Sequence, residues 1–369
     1  MVGERLKCVS DLNHPEISNK SMIALLLITR HGARAPIDNW GLPNETGFWK
    51  CLGEDSLVPK MEASNGEILR RYMKVVSENS FVFPPSCLNG ELLVDGMKQH
   101  KELGEYFRKY LVDEIKLLPQ VFDPSLIYIR SSSSDRCIRS MISFIQGFYP
   151  ANNPGEIISF YTGIKSLEPL HPDPYGCRDI QKAYARFLQT EEFSRRKNLS
   201  IEKQTPLYNY LQLEKSNENW MWLGDWMYSY VCSNQSIPHV VTEEMFELAM
   251  NDTFFYSGGL YKMFPMICSG GIWRTILELI NSILSGRSPT KFALLSGHDT
   301  TIMAILASLG IDNQTAIPPY RSHLAIEIYK ENQIRFVLNG IILKIDDGEY
   351  LSFTKLMNMI GQSLKYCID

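Results

Sequence analysis

Residues 22–36 read Met-Ile-Ala-Leu-Leu-Leu-Ile-Thr-Arg-His-Gly-Ala-Arg-Ala-Pro, and this stretch decides the fold. Met22 to Thr29 is short and apolar without alternation, the pattern of a β-strand covered on both faces, as in a parallel sheet. That strand then delivers Arg30, His31 and Arg34 within five residues. Ligands of open α/β proteins bind at the carboxyl edge of the parallel strands. Two guanidiniums around one imidazole therefore mark a candidate anion site at this edge. A surface turn with solvated charges is the plainer reading, but it leaves unexplained why an apolar strand ends in three such groups.

Two further stretches end the same way. Leu126 to Ile129 reads as a strand leading to Arg130, Ser131 to Ser134, Asp135 and Arg136, and Lys291 to Ser296 reads as one leading to Gly297, His298 and Asp299. Helices fall between and after them. From Asp95 to Leu118 the residues Leu103, Tyr106, Phe107, Tyr110, Leu111, Ile115 and Leu118 recur at three- and four-residue steps. The serine run supplies capping chemistry for a helix whose inward face is Ile138, Met141, Ile142 and Ile145. Ile272 to Leu284 repeats the helical pattern, and a last helix carries Ile302, Ile305, Leu306 and Leu309 before Gly310 stops it. Alternating strands and helices predict an α/β fold with a mostly parallel central sheet flanked by helices. Leu324 to Tyr329 and Ile334 to Leu338, joined by a Lys-Glu-Asn-Gln turn, add a hairpin to it.

Between about Tyr149 and Ser269 the chain is rich in Pro, Tyr and Trp, with short helical patterns such as Glu243 to Met250. This predicts an α/β core of residues 20–148 and 270–369 and an inserted, mainly helical cap of residues 149–269. The cluster Trp220, Trp222 and Trp226 reads as core packing.

A length of 369 residues accommodates a sizeable core, and 44% hydrophobic with 21% charged residues excludes a disordered or fibrous chain. The net charge of -4 supplies no electrostatic footprint for nucleic acid. The longest apolar run, Met22 to Ile28, is far short of the roughly 20 residues of a membrane-spanning helix. The first residues lack a charged segment leading into an apolar one, so a signal peptide is expected to be absent or already removed. Six Asn-x-Ser/Thr triplets, at Asn19, Asn44, Asn198, Asn234, Asn251 and Asn313, exceed the roughly two or three expected by chance and favour a secretory route. Eight Cys without a Cys-x-x-Cys pair argue for scattered disulfides, with some thiols free, over a zinc ribbon or a thioredoxin-type motif.

Three strand ends thus converge on Arg, His and Asp. Arg side chains suit a tetrahedral oxyanion because each offers a planar fork of donors that stays charged at any working pH. The residues alone favour a phosphate or other oxyanion site over a set of structural salt bridges.

Arg30-His31-Gly32-Ala33-Arg34-Ala35-Pro36 resembles the Arg-His-Gly-x-Arg-x-Pro signature of the histidine acid phosphatases, a branch of the histidine phosphatase superfamily, and Gly297-His298-Asp299-Thr300-Thr301 resembles their C-terminal His-Asp motif. The stretch from Asp95 to Tyr106 and the pattern Tyr128-Ile129-Arg130-Ser131 with Asp135-Arg136 are similar to the prostatic and lysosomal type. The likeness covers about residues 22–345, with the cap diverged. It implies a phosphomonoesterase acting on small phosphate monoesters, with no metal and no cofactor. By the same resemblance His31 is the nucleophile and forms a phosphohistidine. Arg30, Arg34, Arg136 and His298 cradle the phosphate, and Asp299 is the general acid. Arg130 takes a supporting role, with a capping or salt-bridge role as plausible.

Further implications of the resemblance are a secreted or lysosomal protein, a homodimer and a disulfide between Cys177 and Cys367. Ser322 stands where relatives carry a Cys, which predicts that Cys232 lacks its usual partner and is unpaired. Asp346 to Phe353 is a short, Cys-free connection where many relatives show a Cys pair. His14, His100, His171, His239 and His323 lie in no catalytic motif and read as structural or surface residues. The rival readings are a phytase or inositol-polyphosphate phosphatase, which would want a wide, strongly basic cap, and an inactive oxyanion-binding module, which would lack His31 or Asp299. The cap is mixed in charge and both residues are present.

Overall fold

The computed structural model describes residues 6–13, 18, 20–38, 40, 47–51, 83, 87–151, 157–164, 168–172, 177–214, 218–311 and 317–368. His14 and the triplets at Asn19, Asn44 and Asn313 lie outside them. In chain order the first elements are β1 (Met22–Arg30), α1 (Val94–Arg108), β2 (Ile127–Ser131) and α2 (Asp135–Phe148). Then come α3 (Arg178–Leu188), α4 (Glu191–Lys203), α5 (Thr205–Tyr210), α6 (Leu223–Cys232), α7 (Glu243–Met263) and α8 (Pro265–Leu284). The last are β3 (Phe292–Gly297), α9 (Asp299–Ser308), β4 (His323–Tyr329), β5 (Gln333–Leu338), β6 (Ile341–Leu343), β7 (Leu351–Ser352) and α10 (Phe353–Ile360).

The architecture is α/β, a sheet flanked by helices with further helices beside it. Strand order is β2-β3-β1-β4-β5-β6, with β7 on β5. Only β2, β3 and β1 pair in parallel; β4 to β7 pair antiparallel. The sheet is therefore mixed where mostly parallel pairing was expected, because β4 enters beside β1 in the opposite direction and the predicted hairpin extends from it. The three parallel strands are those read as delivering Arg, Ser and His, so their carboxyl ends share one edge.

The apolar run of β1 serves both faces of the sheet. Ala24, Leu26 and Ile28 pack with Ile272, Trp273 and Ile276 of α8 and with Ile302 and Ile305 of α9. Leu25 and Leu27 face the other way onto Leu103 and Phe107 of α1 and Phe144 of α2. In α2, Met141 and Ile145 are buried as predicted, whereas Ile142 is 45% exposed. One position of the expected face thus falls on the solvent side of the helix. The predicted long helix after Asp95 continues past Arg108 as a π-helical segment, Lys109–Glu114, and Gly310 leaves α9 with a φ of +72°.

The helix expected over Glu243 to Met250 extends to Met263. Trp220 and Trp226 are buried, as read. Among the described residues no single helix is long and apolar enough to cross a membrane. Three disulfides join Cys8 to Cys232, Cys51 to Cys87 and Cys177 to Cys367, and Cys137 and Cys268 are buried free thiols. The pair Cys177–Cys367 matches expectation. Cys232, expected to be unpaired, instead bonds Cys8, which approaches α6 from the amino-terminal segment.

Candidate active site

Register places the strand ends at one level: Arg30 lies opposite Gly297, and Ser131 opposite Ser296. The chain leaving β1 stays tied to β3, since His31 N–H donates to the Gly297 carbonyl at 3.1 Å. It also passes so near α1 that a Cβ on Gly32 would lie 2.3 Å from the Gly96 carbonyl oxygen, which only glycine avoids. This crossing holds the His31 ring over the sheet edge. The ring is 2% exposed, and its Nδ1 contacts the Gly32 carbonyl at 2.8 Å. A carbonyl only accepts, so Nδ1 carries the proton and Nε2 keeps the lone pair. Burial first, then Arg136, Arg30 and Arg34, hold the imidazole neutral, well below its ordinary titration range.

A cavity of about 260 Å³ opens here, lined by His31, Arg34, Arg136, His298 and Asp299 among others. Five of the six predicted residues therefore meet. Arg30 lies behind them, 1% exposed. It reaches Asp299 Oδ2 at 2.9 Å, donates to the Pro318 carbonyl, and lies 4.5 Å from the Tyr320 ring centre and 5.5 Å from that of Tyr228. Arg34 pairs with Asp225 at 2.6 Å. Burial opposes its charge, but Asp225 outweighs that and the guanidinium stays firmly protonated.

Asp299 begins α9, where the helix dipole favours negative charge. Burial alone would raise its carboxyl, yet Arg30, Arg34 and Arg136 hold it below the usual range. His298 sits just before α9, and its N–H donates to Thr301 Oγ1 at 2.9 Å. Its ring meets Ser132 Oγ through Nε2 at 2.9 Å and Arg136 Nη2 through Nδ1 at 3.5 Å. Its ring centre is 5.7 Å from that of His31. Burial, then His171 and the guanidiniums, keep it neutral. Three guanidiniums against two carboxylates leave a positive excess around neutral imidazoles, which suits an incoming anion. Among the described residues no cluster of His, Cys, Asp or Glu is placed to hold a metal ion.

Arg130 is turned away, donating to both Glu168 oxygens at 3.1 and 3.0 Å, so the salt-bridge alternative holds for it. His100, read as structural, supports the site from behind: its Nε2–H donates to the Arg30 carbonyl at 3.0 Å, and burial pushes its pKa down to about 3. Three residues escaped the sequence reading. Asp225 anchors Arg34, Trp222 lines the cavity as well as packing against the core, and His171 stacks on His298 with ring centres 4.2 Å apart. Nothing in spacing marks them, because each comes from a segment without a strand-end motif.

Arg136 has its Nε buried without a partner, so donor capacity is spare. Arg136→Ala is expected to weaken competitive inhibition by phosphate, vanadate or tartrate about ten- to a hundredfold, as for loss of one charge-assisted contact. Unchanged inhibition constants in the folded variant would place Arg136 outside the anion site.

An α/β sheet with Arg, His and Asp gathered at the carboxyl edge of its parallel strands defines a protein built to handle an oxyanion. The chain matches the family described as the Histidine phosphatase superfamily (branch 2) over residues 22–221 and 188–339, and it belongs to that family, that of the histidine acid phosphatases. It is 25% identical to Counting factor 60 of Dictyostelium discoideum over 332 residues, 85% of this chain and 79% of that protein. With the prostatic acid phosphatase of Rattus norvegicus it shares 26% over 268 residues, 67% of this chain and 68% of that one. Among solved structures, the Hafnia alvei phytase in complex with myo-inositol hexakis sulphate superposes with a TM-score of 0.61 at 13% identity, over 94% of this chain and 98% of that one. That last likeness speaks to the fold alone. The family and its acid phosphatase members support a phosphatase.

Proposed function

We propose that this chain is an acid phosphatase that hydrolyses phosphate monoesters through a covalent phosphohistidine on His31. The observation that carries the reading is the Nδ1 contact to the Gly32 carbonyl, which leaves a neutral Nε2 lone pair beside cations that would bind phosphate oxygens. In the first step His31 Nε2 forms a bond to phosphorus as the ester P–O bond breaks. Asp299 passes a proton to the departing alkoxide. In the second step water attacks phosphorus, the P–N bond breaks and Asp299 takes the water's proton. Arg34 and Arg136, with His298, stabilise charge on the non-bridging oxygens, and Arg30 holds Asp299 in place.

Rapid quench with phosphorus-labelled substrate should trap an acid-labile, base-stable label on the wild type and none on His31→Ala. An acid-stable phosphoester label would overturn the mechanism. The cavity favours esters carrying a single phosphate over inositol polyphosphates: Arg34 and Arg136 are its only lining arginines or lysines among the described residues, and Tyr184, Trp222, Tyr256 and Ile317 also line it. Three disulfides and exposed Asn198, Asn234 and Asn251 support maturation in the secretory pathway, in keeping with a secreted or lysosomal protein.

A further inference from the structure

The loop of residues 168–172 is fixed at several points. Glu168 is gripped by Arg130, and its Oε1 also accepts the Leu170 N–H at 3.1 Å. His171 N–H donates to the Glu168 carbonyl at 3.1 Å, and the Leu170 carbonyl accepts the Thr301 hydroxyl in the first turn of α9. A loop so tied has little freedom to move its side chains. It lays the His171 ring on the His298 ring at 4.2 Å and 27° between planes, on the cavity wall.

We infer that His171 is a positioning residue of the phosphate site, bracing His298 and, once protonated, adding a positive charge that strengthens anion binding at acid pH. This rests on the reading of the cavity as a phosphate site. The described groups packed around it are mostly fixed in charge. From the start of α9 comes the ion-paired Asp299, with His298 just before it, and from α2 comes Arg136. The turn after β1 contributes His31 and Arg34, the latter paired with Asp225 of α6. Among the described residues, helices α3 and α7 contribute the phenols of Tyr184, Tyr256 and Tyr261 to the lining. Within its own loop Glu168 is occupied by Arg130. Burial, first among the causes, holds both His31 and His298 neutral well below the ordinary imidazole range. Imidazole is the side chain that ordinarily changes charge between about pH 5 and 8.

The test uses sulfate, whose charge is constant over that range, as competitive inhibitor of p-nitrophenyl phosphate hydrolysis. In the wild type its inhibition constant should rise about tenfold from pH 5 to 8 as the nearby charge is lost. His171→Phe, which keeps a flat ring on His298, and His171→Gln should both lose that rise. A rise of wild-type size in both variants would overturn the inference. So would a uniform weakening at every pH with the slope retained, since that is the signature of a packing role alone. No sulfate inhibition of the folded wild type at any pH would instead overturn the phosphate-site reading itself, and this inference with it.

Discussion

Replacing His31 with Ala is expected to lower kcat for phosphate monoesters by about 10⁴-fold or more, the scale seen when a covalent nucleophile is removed. The protein should stay folded. The ring sits at the end of β1, outside the apolar layers that α1, α2, α8 and α9 bury against the sheet, and its hydrogen bond goes to the adjacent residue's carbonyl. The arginines remain, so inorganic phosphate should still bind, and thermal shift with phosphate measures fold and site together. A variant that keeps more than a few per cent of wild-type kcat would remove His31 from the chemistry. The same geometry sets a pH expectation. In the proposed mechanism His31 attacks as a neutral ring, and burial with the guanidiniums lowers its pKa, so its protonation should cut activity only well below pH 6.5. The acid limb of kcat/KM should accordingly lie well under that value, where an ordinary imidazole would already be mostly protonated.

Asp299→Asn carries the second large effect, and it depends on the leaving group. An alkoxide departing from a sugar or glycerol phosphate is a strong base, so a proton delivered during P–O cleavage lowers the barrier by about 10²- to 10⁴-fold in rate. Nitrophenolate hardly needs that proton. The variant should therefore lose about 10²-fold or more in burst rate on alkyl phosphates and far less on p-nitrophenyl phosphate. Single-turnover bursts are the right measure, because the second step uses Asp299 for every substrate alike. Burial pulls the carboxyl upward, but Arg30, Arg34 and Arg136 hold it below its usual range. In the proposed mechanism the proton comes in on the substrate, because a phosphate monoester at acid pH binds as its monoanion and can hand that proton to Asp299. In that reading the substrate itself loads the acid. Equal burst losses on both substrate types would show that Asp299 orients the site without donating the proton.

The parts of this molecule legible in sequence are those written in contiguous residues. β1 could be read because seven consecutive apolar positions, Met22 to Ile28, need cover on both faces, and the groups after it because a strand end fixes where they go. The helix α7 was read too short. It runs on past Met250 through Ser257-Gly258-Gly259, where glycine allows close packing: a Cβ on Gly258 would lie 2.8 Å from Met303 Cε, and one on Gly259 2.8 Å from Phe187. Packing overrode local propensity there. His171 had no signal because its place follows from a loop tied by Glu168, Arg130 and Thr301, partners up to 131 residues away. The bond of Cys8 to Cys232 was illegible for the same reason. Loss of one partner at Ser322 says nothing about which distant thiol takes its place.

The three disulfides also impose an order on the making of the protein. Cys51 and Cys87 are 36 residues apart, Cys177 and Cys367 190, and Cys8 and Cys232 224. For a chain synthesised at about 5–20 residues per second, Cys87 follows Cys51 by about 2–7 s, while Cys8 waits about 11–45 s for Cys232. Cys8 therefore emerges first of the six and is joined only after both thiols of the short loop have appeared. Early closure of that loop takes away the two nearest wrong partners for Cys8. A nascent chain in which Cys51 or Cys87 is missing leaves its mate to compete for Cys8, so the most local bond guards the fidelity of the longest.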